Sequence, residues 1–310
     1  MNRRNFLSLS GLALVSASTT LTGCAAKGAE VTVGSKNFTE QLVLGELLAQ
    51  YLGQTAKLPI DRRFYLAGSY ICHQSLVAGR IDLYVEYTGT ALTAILKEPP
   101  SSDHTQVFQE VRQEYARRFG LEVMPSLGFD NSFAIVMRGA DARQMRLKAL
   151  SELAPFAPKL RMGVGYEFLE RPDGYKGLTT KYGLKFAEPR VMDLGLLYRA
   201  LQSNQVDVVA GSNTDGLIAA LDMVVLEDDA HYFPPYDAVP IVRPACLERF
   251  PAVREALHRL TGKVSAQDMR RMNYAVDGEK KDAGAVIQEF LHTRALLQAQ
   301  ESFQILPKSH

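Results

Sequence analysis

The chain has 310 residues, of which 46% are hydrophobic and 22% are charged, and its formal net charge is +1. This apolar fraction can bury a large core and excludes a chain that is mainly disordered. The balanced charge argues against a nucleic-acid-binding protein, and the lack of long apolar runs beyond the N-terminus argues against several membrane spans. The length predicts one large domain or two lobes.

Residues 1–23 have the pattern of an export signal. Arg3 and Arg4 provide a positive start that resembles a twin-arginine signal, and a short apolar stretch follows. Residues 21–24 resemble a bacterial lipobox, in which the cysteine is lipidated and becomes the first residue of the mature protein. We therefore expect lipidation at Cys24, anchorage to a membrane and an extracytoplasmic location. An uncleaved membrane anchor stays open as an alternative, although the stretch is short and rich in Ser and Thr.

Beyond Cys24, the folded part of the chain contains two cysteines, Cys72 and Cys246, which are too few for a disulfide framework. A bridge between them stays open, but two buried free thiols are the favoured interpretation. The six histidines show no metal-ligand spacing, so the sequence predicts no metal site. Familiar phosphate-binding and serine-nucleophile motifs are also missing from the sequence. We therefore expect neither an enzyme nor a cofactor.

Predicted strands and helices alternate along the chain. Residues 31–34 form a β-branched run, and Asn37 stands three residues before Glu40, a spacing typical of the capping box that starts a helix. Further strands are predicted at 81–85, 133–137, 161–164, 206–210, 224–226 and 239–242, and helices at 107–119, 194–202, 214–221, 251–260, 266–274 and 282–299. This alternation predicts an α/β fold with mixed, mostly parallel sheets flanked by helices.

Five short segments together resemble one protein family. They are VGSKNFTEQ at residues 33–41, IDLYVEYTGT at 81–90, RPDGY at 171–175, TDGL at 214–217 and FPPY at 233–236. In sequence and order, these segments resemble substrate-binding proteins for quaternary-ammonium osmoprotectants, which are the glycine betaine, carnitine and choline receptors of ABC importers. The resemblance as a whole extends from about residue 31 to residue 291. The resemblance implies a monomeric receptor without catalytic activity that delivers a small molecule to permease subunits and binds no nucleic acid.

The resemblance also implies an architecture, the two-lobed periplasmic-binding-protein clamshell of type II. One lobe would take residues 30–130 plus 240–310, and the other would take residues 131–239. The ligand would lie in the cleft between the lobes, and closure of the cleft would sequester it.

The chemistry of the expected ligand explains the residue types that the resemblance assigns to the site. A trimethylammonium group has no N–H to donate, so aromatic faces must attract it, whereas a carboxylate needs basic and hydroxyl donors. The resemblance assigns an aromatic box to Tyr87, Phe133 and Tyr236, a basic end to Lys36, Thr90 and Arg171, and positions near the cleft entrance to Gln41 and Ser69.

One position departs from the family pattern, because Ser212 stands where the family usually has a tyrosine. The change removes one wall of the aromatic box and, with Asn213, adds two small polar groups, so both residues become candidates for ligand contact. Loop capping is the alternative role for them. The departure leaves open a receptor for a larger betaine such as ergothioneine, which carries a polar imidazole ring. A sensor or an enzyme on the same fold also stays open, because a fold does not determine a function.

Overall fold

The structure is a computed structural model, and it describes residues 30–297. The predicted export signal and Cys24 therefore lie outside the described residues. The strands of the described part are β1 (Val31–Gly34), β2 (Ile60–Arg63), β3 (Leu83–Tyr87), β4 (Glu122–Val123), β5 (Phe133–Arg138), β6 (Met162–Val164), β7 (Arg190–Val191), β8 (Val208–Ser212), β9 (Met223–Leu226) and β10 (Ala238–Val242).

Helices connect and cover these strands. The α-helices are α1 (Thr39–Thr55), α2 (Ser69–Val77), α3 (Thr88–Thr90), α4 (His104–Phe119), α5 (Gly139–Met145), α6 (Tyr166–Glu170), α7 (Tyr175–Tyr182), α8 (Leu197–Gln202), α9 (Leu217–Ala220), α10 (Pro244–Arg249), α11 (Pro251–Leu260), α12 (Ala266–Asp277) and α13 (Ala283–Thr293). A π-helical segment, Ala91–Leu96, follows α3, and short 3-10 helices lie at Leu150–Leu153, Ala157–Lys159 and Leu194–Leu196. Within residues 30–297, no helix combines the length and the hydropathy needed to cross a membrane.

The strands form two five-stranded sheets, with the orders β2-β1-β3-β10-β4 and β7-β6-β8-β5-β9. In the first sheet β1 is parallel to β2 and β3, and β10 is antiparallel to β3 and β4. In the second sheet β6 is parallel to β7 and β8, and β5 is antiparallel to β8 and β9. The predicted α/β class with mixed sheets is confirmed. The sheets are not mostly parallel, however, since the described strand pairings are half parallel and half antiparallel. The antiparallel pairings arise because β10 and β5 run opposite to both of their neighbours.

Local sequence explains several element boundaries and corrects one prediction. Helix α4 begins where the Asp103 carboxylate accepts the N–H of Gln106 at 2.9 Å, and it ends at Gly120, whose φ of +62° suits glycine. The predicted capping box at Asn37 and Glu40 is wrong, because the residue at the start of α1 is Phe38 and it makes no side-chain cap. The Glu40 side chain is turned inward and is used elsewhere.

The chain passes between the two sheets twice, and the two crossings run side by side. Asp130 and Asp237 form an isolated antiparallel bridge between them. On either side, the Asn131 N–H donates to the Tyr236 carbonyl and the Ala238 N–H donates to the Phe129 carbonyl, both at 3.0 Å. This pairing places the ends of β5 and β10 beside each other, next to the space between the sheets.

Cys72 and Cys246 are both buried and unbridged, as the favoured interpretation predicted. Burial raises the pKa of each thiol to about 12. Neither thiol has the lowered pKa of a reactive cysteine, so both act as small apolar side chains of the interior.

Candidate functional site

The loop between β1 and α1 carries Lys36, whose side chain is buried with only 2% exposure. Its ammonium group forms an ion pair with Glu86 of β3 and lies 4.7 Å from the centre of the Tyr87 ring. Two charges buried together need this close pairing, since an isolated buried charge would be very costly. Lys36 and Tyr87 are therefore neighbours, as the resemblance implied, but the charge of Lys36 already has a partner within its own sheet.

Glu40, in the first turn of α1, is the centre of a buried polar cluster. Its carboxylate accepts hydrogen bonds from the Tyr87 hydroxyl at 2.7 Å and the Thr214 hydroxyl at 2.5 Å. The side-chain amides of Asn131 and Asn273 donate to it at 2.5 and 2.8 Å. Burial raises the pKa of Glu40, although each of these four hydrogen bonds lowers it. One carboxylate thus joins β3, the segment after β8, a chain crossing and α12.

Arg171 follows α6 and is held from two sides. Its guanidinium forms a two-pronged pair with Asp173, at 2.9 and 2.5 Å, and donates to the Thr90 hydroxyl at 2.8 Å. Burial by itself would lower the pKa of Arg171, but the Asp173 carboxylate raises it above the usual value. The arginine in turn lowers the pKa of Asp173 despite burial. Arg171 therefore stays charged and links the two sheets through Thr90.

Four aromatic rings form a cluster beside this guanidinium, and two of them contact it. The centre of the Phe133 ring lies 4.8 Å from Phe168, 5.5 Å from Phe233 and 5.4 Å from Tyr236. The Arg171 guanidinium lies 5.0 Å from the centre of Phe133 and 5.6 Å from that of Tyr236, within cation–π range. The Tyr236 hydroxyl also donates to Asp173 at 2.5 Å. The predicted basic end and part of the predicted aromatic box thus form one cluster.

Ser212 closes β8, directly opposite Phe133 in the sheet. Its hydroxyl donates to the side-chain oxygen of Asn131 and lies 2.9 Å from the Thr214 hydroxyl. Both partners also bind Glu40, so Ser212 extends the polar cluster toward the rings. The side-chain oxygen of Asn213 is buried and makes no hydrogen bond to another described residue.

Ser69, the first residue of α2, and Glu167 of α6 connect two distant parts of the chain. The Ser69 N–H and hydroxyl donate to the two carboxylate oxygens of Glu167 at 2.6 and 3.2 Å. A Cβ on Gly68 would lie 1.9 Å from the same carboxylate, so glycine permits this close approach. Gln41 is buried with both polar atoms of its side chain lacking a well-formed hydrogen bond to any other described residue.

The structure therefore distributes the ten predicted ligand-binding residues over adjacent groups between the sheets. The same groups contain further residues that were not predicted to contact the ligand, and four of these are Glu40, Phe168, Asp173 and Phe233. Three of them lie within the recognised segments, but sequence reasoning singled out only their neighbours. Glu40 also stands three and four residues before Val43 and Leu44, on the buried face of α1, and this spacing could have revealed its inward position. Phe168 has no comparable signal.

Comparison with known proteins identifies this arrangement. Residues 29–293 match the family described as the substrate-binding domain of ABC-type glycine betaine transport systems (OpuAC). The chain belongs to this family. The resemblance found in the sequence is confirmed, and the family consists of extracytoplasmic substrate-binding proteins of ABC importers, not of enzymes.

Individual relatives cover most of the chain. The carnitine transport binding protein OpuCC of Listeria monocytogenes is 30% identical over 297 residues, which are 93% of this chain and 96% of that protein. The ergothioneine transport permease/ergothioneine binding protein EgtU of Helicobacter pylori is 32% identical over 267 residues, 86% of this chain but 48% of EgtU.

A crystal structure of a glycine betaine/carnitine/choline ABC transporter protein has a TM-score of 0.72 and 32% identity to this chain. The structural alignment covers 86% of this chain and 100% of the chain in the crystal structure. This likeness confirms the type II clamshell fold that the resemblance implied.

Proposed function

We propose that this protein captures a quaternary-ammonium compound, of the glycine betaine, carnitine or choline class, between its two sheets and delivers it to ABC permease subunits. The observation that carries the proposal is the guanidinium of Arg171 lying against Phe133 and Tyr236. The faces of such rings attract a cation without accepting a hydrogen bond from it. A trimethylammonium group needs the same interaction, because it has no N–H.

The charges around the rings favour a ligand with a carboxylate. Asp173 keeps Arg171 ionised and, together with Thr90, accepts three of the five N–H groups of its guanidinium, so the two that remain can donate to a ligand carboxylate. Glycine betaine and carnitine carry both groups, an ammonium for the rings and a carboxylate for Arg171. Choline has no carboxylate and would use only the rings. We therefore expect carnitine or glycine betaine to bind more tightly than choline.

Calorimetric titration of the full-length protein in detergent tests this proposal with glycine betaine, carnitine, choline and an uncharged analogue. Tyr236→Ala should weaken binding of the trimethylammonium compounds by about 2- to 30-fold, since one ring contributes roughly 0.5–2 kcal/mol. Phe250→Ala is the matched control, because Arg249 lies 4.8 Å from the Phe250 ring outside the site. Equal affinity of the wild type and Tyr236→Ala, or no binding by the wild type, would exclude the proposed site.

We further propose that the protein acts as a lipid-anchored monomer. Support comes from the lipobox pattern at residues 21–24 and from a family whose members are extracytoplasmic. A labelled fatty acid should be incorporated into the wild type and not into Cys24→Ala, which should leave the membrane fraction. Light scattering of the purified protein should give the mass of one chain; a dimer mass would exclude the monomer.

We infer that the two sheets are the centres of two lobes, one built from residues 30–130 plus 240–310 and the other from 131–239. The membership of the strands supports this division, since β1 to β4 and β10 share one sheet and β5 to β9 share the other. Small-angle scattering should then show a smaller radius of gyration with ligand than without it. An unchanged radius would argue against closure of two lobes.

Ergothioneine is the second candidate ligand, and two observations favour it. EgtU is 32% identical over its aligned region. In addition, the cluster of Ser212, Thr214 and Glu40 offers hydrogen-bonding groups that a trimethylammonium group cannot use, whereas an imidazole ring can. If ergothioneine is the ligand, it should displace carnitine from the wild type, and Ser212→Tyr should lose this preference. If Ser212→Tyr keeps the ranking of the ligands, the polar cluster does not select the ligand.

A further inference from the structure

The paired chain crossings bring together two carboxylates that lie far apart in the sequence. Asp130 and Asp237 are bridge partners, and the flanking hydrogen bonds join Asn131 to Tyr236 and Ala238 to Phe129. This pattern makes the aspartates a non-hydrogen-bonded pair, the arrangement in which opposite side chains lie closest. Like charges in such positions destabilise the pairing of the chains unless another group compensates them.

A histidine lies beside the two carboxylates. The Nδ1 atom of His104, the first residue of α4, is 2.9 Å from a carboxylate oxygen of Asp237. One ligand atom from each of His104, Asp130 and Asp237 lies within 4.8 Å of the others. The three side chains thus form a compact set with an excess of negative charge.

The surroundings hold Asp130 in place and leave space next to it. Its two oxygens accept the backbone N–H groups of Ser132 and Tyr236, which orient the carboxylate. A cavity of about 440 Å³ adjoins the set and is lined by His104, Asp130 and His231 among others. The cavity gives a bound ion room for the water molecules that would complete its coordination.

We propose that His104, Asp130 and Asp237 bind a divalent transition-metal ion, with Zn²⁺ as the first candidate, at the paired chain crossings. One imidazole and two carboxylates with open positions form a ligand set that suits Zn²⁺ and related ions. The ion would neutralise the two opposed aspartates. None of the three ligands belongs to the aromatic cluster, although Phe233 of that cluster lines the same cavity. Asp130 and Asp237 directly flank Asn131 and Tyr236, so the ion would stabilise the chain segments that carry those two residues.

This proposal replaces the expectation of no metal site. The sequence pattern could not reveal the set, because its three members come from a helix start and two distant crossings. It is independent of the ligand proposed for the cleft, since the two sites share no side chain.

Equilibrium dialysis of the full-length, EDTA-stripped protein against ZnCl₂, followed by metal analysis, tests the site. The wild type should bind one Zn²⁺ per chain, and His104→Ala should weaken binding by at least about tenfold. Asp237→Asn keeps the shape of the side chain and should weaken binding similarly, which separates ligation from misfolding. His258→Ala, an exposed histidine on α11, is the matched control and should bind as the wild type does.

A Co²⁺-loaded sample provides a second readout, since its visible absorption should be present in the wild type and lost in both site variants. Substoichiometric zinc in the wild type, or unchanged affinity in His104→Ala and Asp237→Asn, would overturn the proposal. Because neither readout uses betaine binding, failure here and failure of the proposed function are distinguishable.

Discussion

Replacing Asp215 by Asn tests the electrostatics beside the candidate site. The Asp215 carboxylate accepts the Tyr198 hydroxyl at 2.6 Å and the Ser212 N–H at 2.8 Å, both on the same oxygen. Burial raises its pKa to about 7, the two hydrogen bonds oppose this shift, and the nearby Glu40 charge adds to it. Asn can offer one carbonyl oxygen to both donors, so the substitution removes the charge and keeps the hydrogen bonds.

The pH dependence of the unfolding free energy follows from the protonation of Asp215 in the folded and the unfolded protein. Asp215 takes up its proton near pH 7 in the folded protein and near its ordinary value of 3.8 when unfolded. Its contribution to stability is therefore complete below about pH 4 and is lost as the pH rises through 7. The shift of about three units corresponds to at most about 4 kcal/mol. Relaxation of the surroundings and water penetration reduce the cost of a buried charge, so we expect about half of this, roughly 2 kcal/mol.

Urea unfolding of the ligand-free protein, followed by circular dichroism, measures this difference at about pH 4, 6 and 8. Asp215→Asn should match the wild type at the lowest pH and exceed its unfolding free energy by about 2 kcal/mol at the highest. Glu188→Gln, an exposed carboxylate outside the site, should show no such trend. A gap between Asp215→Asn and the wild type that is independent of pH, or a less stable variant at pH 8, would refute the reasoning.

Three further results are expected. Arg171→Lys replaces the planar guanidinium and removes the two-pronged pair with Asp173. It should weaken carnitine binding by about tenfold or more and choline binding less. Equal losses of affinity for carnitine and choline in calorimetry would contradict the assigned carboxylate contact. Gly89→Ala places a Cβ 2.7 Å from the Tyr236 ring, so the melting temperature should fall by several degrees. An unchanged melting temperature would show that the chain segment around Tyr236 moves aside at little cost. The buried Cys72 thiol should resist iodoacetamide at pH 8 until urea unfolds the protein, whereas rapid labelling of the native protein would disprove its burial.

Local patterns in the sequence predict elements well where a single physical signal dominates. The predicted helix at 251–260 coincides with α11 because proline starts it and apolar residues recur along one face. The strand predicted at 81–85 is observed at Leu83–Tyr87, two residues later. Just before this strand, the Asp82 carboxylate accepts the Thr32 N–H, and the backbone carbonyl of Asp82 accepts the Arg243 N–H. Boundaries of this kind depend on neighbouring strands that the local sequence does not specify.

Some residues of the candidate site could likewise be predicted from local sequence, and others could not. Tyr87, Tyr236 and Arg171 could be identified because they stand in recognisable segments. The position of Glu40 could not be read from its capping-box spacing, because the local pattern and the tertiary contacts favour different roles for the same carboxylate. Phe168 joins the rings because the fold brings α6 beside Phe133, the first residue of β5.

By itself, the sequence determined the family, the alternation of strands and helices, and the residue types needed to hold a cation beside a carboxylate group. Only the tertiary structure decided which distant polar groups pair, since Lys36 meets Glu86 and Arg171 meets Thr90 through folding of the chain. It also decided that Asp130 and Asp237 stand opposite each other. The physical reason is that buried charges and hydrogen bonds are satisfied by partners close in space, and closeness in space depends on how the two sheets are connected.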